Sequence, residues 1–463
     1  MINLNNFNSF KEELKQSKIA VIGAGVSNIP LIKYLIKLNC NITLFDNKEF
    51  YKLNNDIKDL INNQTINAYL GKDNLTKLKG FNIIFRSPSM LPTNEYLEKE
   101  KSRGAIITTE VEQVIKYSKA KIIGVTGSKG KTTTTSIINE IMTKMGYITY
   151  LGGNIGIPLF DKLDEITKED IVILELSSFQ LMNMEVSPNI ALITNISPDH
   201  LDIHSSYEEY IEAKKYLFKN QTSKDLLILN NNDEIVKEFN KEAKGNVKYF
   251  GINYIKDSFV LDDNFICYNN EKILDTNKFI LKGKHNYLNI CAALNAIKEF
   301  INVNNQELEN IIASINSVHH RLEFVREING IKWYNDSAST TPDKSLAGIN
   351  AFNEDIVLIA GGYDKNIEYD TLALPIINKV SKLILFGATK NKIYDAVMKE
   401  IKNHTNVKTK IYVMDSLEDV IDIAFKVSEK GEVVLFSPAS ASFDMFENAY
   451  ARGDLFKEIV NKL

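Results

Sequence analysis

Thr126-Gly127-Ser128-Lys129-Gly130-Lys131-Thr132-Thr133 is the stretch whose residue types and spacing speak most directly of chemistry. Glycines let the backbone curl until successive N–H groups point into one concavity, and a following helix adds partial positive charge, so an anion belongs there. Lys131 is placed to reach the β- and γ-phosphates of a nucleotide, and the Thr132 hydroxyl suits Mg²⁺. Only Ser128 and Lys129 separate the two glycines, where the usual phosphate loop has about four residues. A plain strand-to-helix turn that happens to contain Gly-Lys-Thr is the bland alternative.

Other polar groups recur at the ends of apolar runs. Ile171 to Leu174 ends in Glu175-Leu176-Ser177-Ser178-Phe179-Gln180-Leu181, and a carboxylate at a central strand's C-terminal end beside a phosphate loop is where a magnesium-holding acid belongs. Ile190 to Ile196 runs into Ser197-Pro198-Asp199-His200-Leu201-Asp202; a lone histidine is more often structural, yet His200, one of six histidines, sits at a strand end in the same cluster and is a candidate metal or phosphate contact. The loop Gly152-Gly153-Asn154-Ile155-Gly156 is too rich in glycine to be core. Asn286 and Asn289, three apart, share a helix face and could clamp an adenine or cap the helix. Upstream, Gly23-Ala24-Gly25-Val26-Ser27-Asn28 resembles a dinucleotide fingerprint with asparagine in place of the third glycine, which suits a phosphate or diphosphate better than NAD. Asp46 closes the strand Ile42 to Phe45, well placed to accept from a ribose or uracil, and Arg86-Ser87-Pro88-Ser89 arrives at the same sheet edge.

The elements that must position these groups alternate between strand and helix. Lys121 to Val125 reads as a strand, and Ser136 to Met145 as a helix with Ile137, Ile138, Ile141 and Met145 on one face. Lys18 to Ile22, Ile83 to Phe85 and Ile148 to Leu151 read as further strands, with Tyr207 to Phe218 an amphipathic helix. A third alternation follows, with strands at Trp333-Tyr334, Ile356 to Ala360, Leu383 to Phe386 and Val433 to Phe436, and helices at Asn391 to Ile401 and Leu417 to Val427. The strands deliver Asn335-Asp336-Ser337, Gly361 to Lys365, Gly387-Ala388-Thr389 and Ser437 to Ser442 to one edge, which is how an α/β site is assembled. The pattern restarts predict an α/β protein of three domains, at residues 1–116, 117–318 and 319–463.

Length and composition agree. A chain of 463 residues is too long for one core. Apolar content of 44% and charged content of 25% are those of a soluble globular protein, and a net charge of -4 argues against a general nucleic-acid binder. Cys40, Cys267 and Cys291 match no metal-ligand or redox spacing and are expected to be reduced. No run is long enough to span a bilayer and no signal peptide is evident, so a cytoplasmic protein without membrane insertion is expected.

Taken together, Gly127 to Thr133, Gly153-Asn154-Ile155-Gly156, Glu175-Leu176-Ser177-Ser178, His285-Asn286 and His320-Arg321 resemble the Mur ligases, in the family's order and across essentially the whole chain. Within that family, Ser178 to Leu181, Asn335-Asp336-Ser337 and Ser437 to Asp444 are similar to the D-glutamate-adding members. The alanine-adding relatives usually carry histidine where this chain has Lys129, and the diaminopimelate- or lysine-adding relatives carry histidine where it has Phe179.

The resemblance implies an N-terminal Rossmann-like UDP-binding domain, a central P-loop ATPase-like parallel sheet and a C-terminal Rossmann-like domain for the incoming amino acid. It implies ATP-dependent addition of D-glutamate to UDP-N-acetylmuramoyl-L-alanine through an acyl phosphate; separately, a monomer is expected. Lys131, His200, Lys214 and Glu175 are its implied catalytic group. Gly127, Ser128, Lys129, Gly130, Lys131, Thr132, Thr133, Asn286, Asn289, Arg321 and Asp336 would hold ATP. Two Mg²⁺ ions are implied, one on Thr132 and Glu175, the other on Asn154, His200 and a carbamylated Lys214. Without the family, Lys214 would read as a solvated helix face. Val26, Ser27, Asp46, Asn47, Ser87 and Asn154 are the implied contacts to the UDP substrate, and Thr340, Lys365, Ser442 and Phe443 those to D-glutamate. Ala338 stands where relatives often have lysine, and Ser89 where they often have glycine.

Two other readings stay open at this level. A folate polyglutamate type of ligase shares the loop but leaves the domain around Lys18 to Ser89 unexplained. A non-catalytic nucleotide-binding regulator would be expected to show erosion at Lys131, Glu175 or His200, and all three are intact.

Overall fold

The computed structural model describes residues 6–25, 27–200, 203–302, 306–315, 320–365, 367–405 and 407–463. Val26, Leu201, Asp202 and His319 of the predicted motifs lie outside the described residues. The chain forms two compact units, one of Met1–Ile273 with Leu288–Asn304, the other of Leu274–Tyr287 with Asn305–Leu463.

The first unit holds two parallel sheets. One has five strands in the order Asn67–Leu70, Asn41–Asp46, Lys18–Ile22, Ile83–Phe85, Ile106–Thr108. Its order reverses at Lys18–Ile22, the strand that feeds the Gly23 loop. The other has six strands in the order Asn246–Phe250, Leu226–Asn230, Ile190–Ile193, Lys121–Thr126, Ile171–Glu175, Thr149–Gly153. Lys121–Thr126 lies in the middle, paired with Ile190–Ile193 on one side and Ile171–Glu175 on the other. The loops carrying Gly127, Glu175 and Asn195 therefore leave the same sheet edge side by side, as they do in open parallel sheets that bind ligands. Both faces of these strands are covered, which is why the sequence shows unbroken apolar runs rather than alternation.

One continuous core serves both sheets. At its centre Phe160 is fully buried, with ring centroids 5.6 Å from Phe7, 5.5 Å from Tyr34 and 5.9 Å from Phe85. A small sheet of Phe259–Asp262, Phe265–Tyr268 and Glu271–Asp275 completes the strands before the second unit's main sheet.

The second unit's six-stranded sheet runs Glu323–Ile328, Ile331–Asn335, Val433–Phe436, Ile356–Gly361, Val380–Phe386, Lys410–Val413. All pairings are parallel except the first, an antiparallel hairpin turned at Asn329-Gly330 with φ of 55° and 79°. Cores lie on both faces of this sheet, one around Leu358 and Leu385 and the other around Trp333 and Phe436.

Two expectations need correction. The helix after the phosphate loop is Lys131–Lys144, beginning five residues before the predicted Ser136. Thr132 to Thr135 carry no apolar periodicity, yet Thr133, Thr134 and Thr135 are buried because this first turn faces the neighbouring strand ends. Met145 caps the helix half-buried, and Met142 takes its expected place in the core beside Ile138 and Ile141. Cys267 and Cys291 are free and buried, and Cys40 is free and half-buried.

Candidate functional site

The phosphate loop is built for backbone approach. Gly127 has φ 145°, and a Cβ there would collide with the Thr194 hydroxyl and the Asn195 backbone. Gly130, at φ 83°, caps the helix Lys131–Lys144, and a Cβ there would stand 2.8 Å from Asn289 Oδ1. The loop is braced from the next strand end. Lys129 N–H donates to Asn195 Oδ1 at 2.9 Å, while Asn195 Nδ2 and Thr194 Oγ1 each donate to Lys129 O at 2.7 Å. The Ser128 hydroxyl lies 2.8 Å from Tyr210 OH and bonds the Ser197 backbone. Lys131 folds back over the loop, its Nζ donating to Gly127 O at 2.7 Å and Ser128 O at 3.1 Å. Thr132 is half-buried on the same first turn.

Glu175 closes its strand beside this loop, paired in register with Val125. It is 1% exposed, and Asn154 Nδ2 donates to its Oε1 at 2.8 Å. Its other oxygen, Oε2, is buried with no hydrogen-bond partner. An orphaned carboxylate oxygen at a phosphate loop fits a cation, since a buried anionic oxygen is otherwise costly to leave unpaired. Gly153 has no room for a Cβ because Glu175's carbonyl lies against it, so the Asn154 loop is held to the Glu175 strand end.

Lys214, predicted as a solvated face without the family, is 1% exposed. Its Nζ donates to Gly127 O at 2.9 Å and stands 4.5 Å from the Tyr210 ring centroid. Burial, reinforced by the Lys131 charge and opposed by Asp199, pushes its ammonium well below the ordinary lysine range. His200 has φ 54° and is half-exposed, its Nε2 3.7 Å from Asp199 Oδ2 and its ring edge-on to Phe179 at 5.2 Å. Among the described residues no three His, Cys, Asp or Glu side chains cluster as a metal site, so a cation here would depend also on hydroxyl, amide and phosphate oxygens.

The five-stranded sheet presents a second group. Asp46 is buried and accepts from Ala24 N–H at 2.7 Å and Lys48 N–H at 2.8 Å, so it shapes the Gly23 loop. Asn28 fills the third-glycine position by donating to Ile22 O and Gly23 O, at 3.0 and 2.9 Å. Ser87 approaches Gly23, whose Cβ would lie 3.1 Å from Ser87 Cβ, and Ser87 Oγ lies 2.7 Å from Ser89 Oγ. Ser27 is half-buried and Asn47 is exposed beside them. Val26 cannot be placed, being outside the described residues.

In the second unit, Asp336 ends the strand Ile331–Asn335 and is fully enclosed. Ser437 Oγ donates to its Oδ2 at 2.6 Å and Leu322 N–H to its Oδ1 at 3.2 Å. Burial raises its carboxyl to about 6 against these bonds and the Arg321 charge. His285 is pulled below its ordinary value by burial and by the same Arg321. Asn286 is buried, its Nδ2 donating to Lys282 O at 2.7 Å, and Asn289 is buried on the same helix, Lys284–Ala296. Ser442 is buried while Phe443 is exposed, with the Lys365 ammonium 5.9 Å from the Phe443 ring centroid. Thr340 is half-buried, its N–H bonded to Ala338 O.

Two side chains without a sequence signal, and Arg86 of the Ser87 motif, join these groups. His204 Nε2 lies 2.9 Å from Ser178 Oγ, and its ring stacks on Phe179 at 5.2 Å. Arg452, fully buried, bonds Ser337 O, Ser440 O and Ala441 O, tying two site loops together. Arg86 does the same elsewhere. Each has at least one partner far away in sequence, Ser178 for His204, Met182 for Arg86 and Ser337 for Arg452, which no local spacing encodes.

Residues 125–297 match the Mur ligase middle domain, and residues 320–440 match the family described as Mur ligase, glutamate ligase domain. The UDP-N-acetylmuramoylalanine–D-glutamate ligases of Clostridium perfringens and Clostridium botulinum are each 44% identical, over 99% of this chain and 99% of their own. Among solved structures, the UDP-N-acetylmuramate-alanine ligase MurC of Thermotoga maritima has a TM-score of 0.59 at 18% identity, covering 96% of this chain and 99% of that one. The MurF ligase of Thermotoga maritima in complex with ADP has a TM-score of 0.54 at 18% identity, covering 98% and 97%. Structural likeness at that identity shows the fold alone. Full-length kinship in sequence goes further, and with both domain families matched in order the chain belongs to the Mur ligase family.

Proposed function

We propose that this chain is an ATP-dependent ligase that adds D-glutamate to UDP-N-acetylmuramoyl-L-alanine, a cytoplasmic step of peptidoglycan precursor synthesis. The observation that carries the reading is the 44% identity over 99% of the chain to ligases bearing that name. The cradle of Gly127 to Thr133 beside the orphaned Glu175 oxygen supports its phosphoryl-transfer half. Residues 1–116 hold the UDP moiety through Val26, Ser27, Asp46, Asn47 and Ser87, with Asn154 of the central domain contacting the same substrate. Residues 117–318 hold the ATP phosphates, and residues 319–463 hold D-glutamate through Thr340, Lys365, Ser442 and Phe443. Asn286, Asn289, Arg321 and Asp336 complete the nucleotide contacts.

A carboxylate is a poor electrophile, so the terminal carboxylate of the UDP substrate first attacks the γ-phosphorus and ADP leaves. The D-glutamate amine then attacks the acyl phosphate carbonyl, and the tetrahedral intermediate expels inorganic phosphate. Bringing the two anions to ~4 Å costs about 4 kcal/mol at an effective dielectric of about 20. Lys131 and the loop N–H groups offset that repulsion. Mg²⁺, when bound, supplies further neutralisation of phosphate charge. Thr132 and Glu175 would hold one ion, and Asn154, His200 and a carbamylated Lys214 the other. A buried lysine favours its neutral amine, the form that captures CO₂, and carbamylation converts it to an anionic oxygen ligand.

Phosphate release from ATP with UDP-N-acetylmuramoyl-L-alanine and, in turn, D-glutamate, L-glutamate, L-lysine or meso-diaminopimelate tests the reading. Turnover with D-glutamate alone is expected. Turnover with another amino acid would keep the family and overturn the substrate.

A further inference from the structure

Arg86 stands directly before Ser87, at the end of Ile83–Phe85, and is 4% exposed. A buried guanidinium usually meets a carboxylate, yet the hydrogen-bond partners of this one are main-chain carbonyls. Nη1 donates to Met90 O at 3.0 Å, both terminal nitrogens reach Phe179 O at 3.4 Å, and Nη2 donates to Met182 O at 2.9 Å. The Glu112 carboxylate acts on it electrostatically, while its own oxygens accept from Thr108 Oγ1 and Glu185 N–H.

Two of the three gripped carbonyls belong to the short helix Ser178–Leu181 and the residue after it, and the third to Met90. Ser177 and Gln180 close a capping box at the start of this helix, so Arg86 secures its other end. Between the two grips lies Phe179, whose ring stacks on His204 at 5.2 Å and meets His200 edge-on at 5.2 Å. His204 is bonded in turn to Ser178. A continuous chain of contacts thus runs from the Ser87 loop through Arg86 and Phe179 to His200.

We propose that Arg86 is a positioning residue of the ligase, locking the Ser87 loop to the Phe179 backbone so that the UDP-substrate contact and the His200 side of the site keep one register. The inference rests on the function proposed above and adds to it a residue that touches no substrate. Lysine cannot replace the fork, because one ammonium on a flexible stem does not reproduce a planar guanidinium serving three carbonyls. An apolar residue would leave the buried Met182 carbonyl and the half-buried Phe179 carbonyl without this donor.

The test uses the full chain. Arg86→Ala is expected to lower kcat about tenfold or more through misplacement, with the ADP dissociation constant within about twofold of wild type. The Mg²⁺ concentration for half-maximal activity is expected to rise, because His200 loses its seat. Free guanidinium, well below denaturing concentration, is expected to restore activity to Arg86→Ala and not to raise that of the wild type. A cavity of about 240 Å³, lined in part by Arg86, Thr108, Glu112, Gln180 and Met182, gives it a way in. Hydrogen exchange of the peptide covering residues 176–184 is expected to quicken while the phosphate-loop peptide stays unchanged, and this readout needs no turnover. A kcat within twofold of wild type, an ADP affinity that falls in step with kcat, or unchanged exchange would overturn the proposal. Should Arg86→Ala not fold, Arg86→Lys carries the same measurements, with a smaller loss expected. Inactivity of the wild type with D-glutamate would sink the proposed function, while exchange would still decide the grip of Arg86.

Discussion

Asp336 shows how a site residue in this fold stores free energy. Its carboxyl titrates near 6 in the folded chain against an ordinary 3.8, with burial the dominant cause. Below about 3.8 both folded and unfolded forms hold the proton. As pH rises the unfolded chain ionises first, so the folded state loses stability progressively, and the loss is complete above about 6. A shift of about two units corresponds to ~3 kcal/mol. Urea unfolding followed between pH 4 and 7 is therefore expected to show a decline in the wild type that Asp336→Asn lacks, the difference between the two curves approaching ~3 kcal/mol. Parallel curves would mean that the carboxyl ionises freely in the folded state. That such an acid persists, held by Ser437 and the Leu322 N–H, fits a group retained for something other than stability.

Among the elements, the loop between Lys121–Thr126 and Lys131–Lys144 is the most tightly specified. Gly127→Ala would force a Cβ into the Thr194 hydroxyl and strain a backbone at φ 145°, at about 1–3 kcal/mol. Since the loop must shift to relieve it, ATP affinity is expected to fall about tenfold or more, measured by calorimetry, while Gly80→Ala, where a Cβ meets nothing, leaves ATP affinity unchanged. Equal affinities in the two variants would refute the cradle. The strands and their terminal loops were legible because a strand buried on both faces must be an apolar run, and its polar continuation must be the edge of the sheet. Lys131–Lys144 was legible only from Ser136, because its first turn is threonine, with poor intrinsic helix propensity and no periodicity. The hairpin Glu323–Ile328 to Ile331–Asn335 is signalled in the sequence by an Asn-Gly pair, and both of its residues take positive φ. The strands of Phe259–Asp262, Phe265–Tyr268 and Glu271–Asp275 are too short and too polar at their ends to stand out. The partners of Arg86, His204 and Arg452 were illegible for another reason: they are set by the meeting of strand ends, a property of sheet order and not of local sequence.

At the scale of the whole molecule, the division into two units makes a prediction about cooperativity. The first two sheets share their largest core, with Phe160 buried among Phe7, Tyr34 and Phe85, while the five-stranded sheet adds only a smaller cluster around Ile22, Phe45 and Ile84, so most of their apolar interior must unfold together. Phe160→Ala removes a fully buried ring and is expected to cost about 3–5 kcal/mol. The chain's single tryptophan, Trp333, is fully buried in the second unit's core and reports that unit alone. Denaturation of Phe160→Ala is thus expected to lower the transition seen by far-ultraviolet circular dichroism, which includes the first unit, while the Trp333 fluorescence midpoint stays within error of wild type. A fluorescence midpoint that moved equally would mean that the two units unfold as one. Should the circular dichroism transition instead split, with only part of the first unit's signal lost early, the five-stranded and central sheets would have to be stable apart, against the core they share.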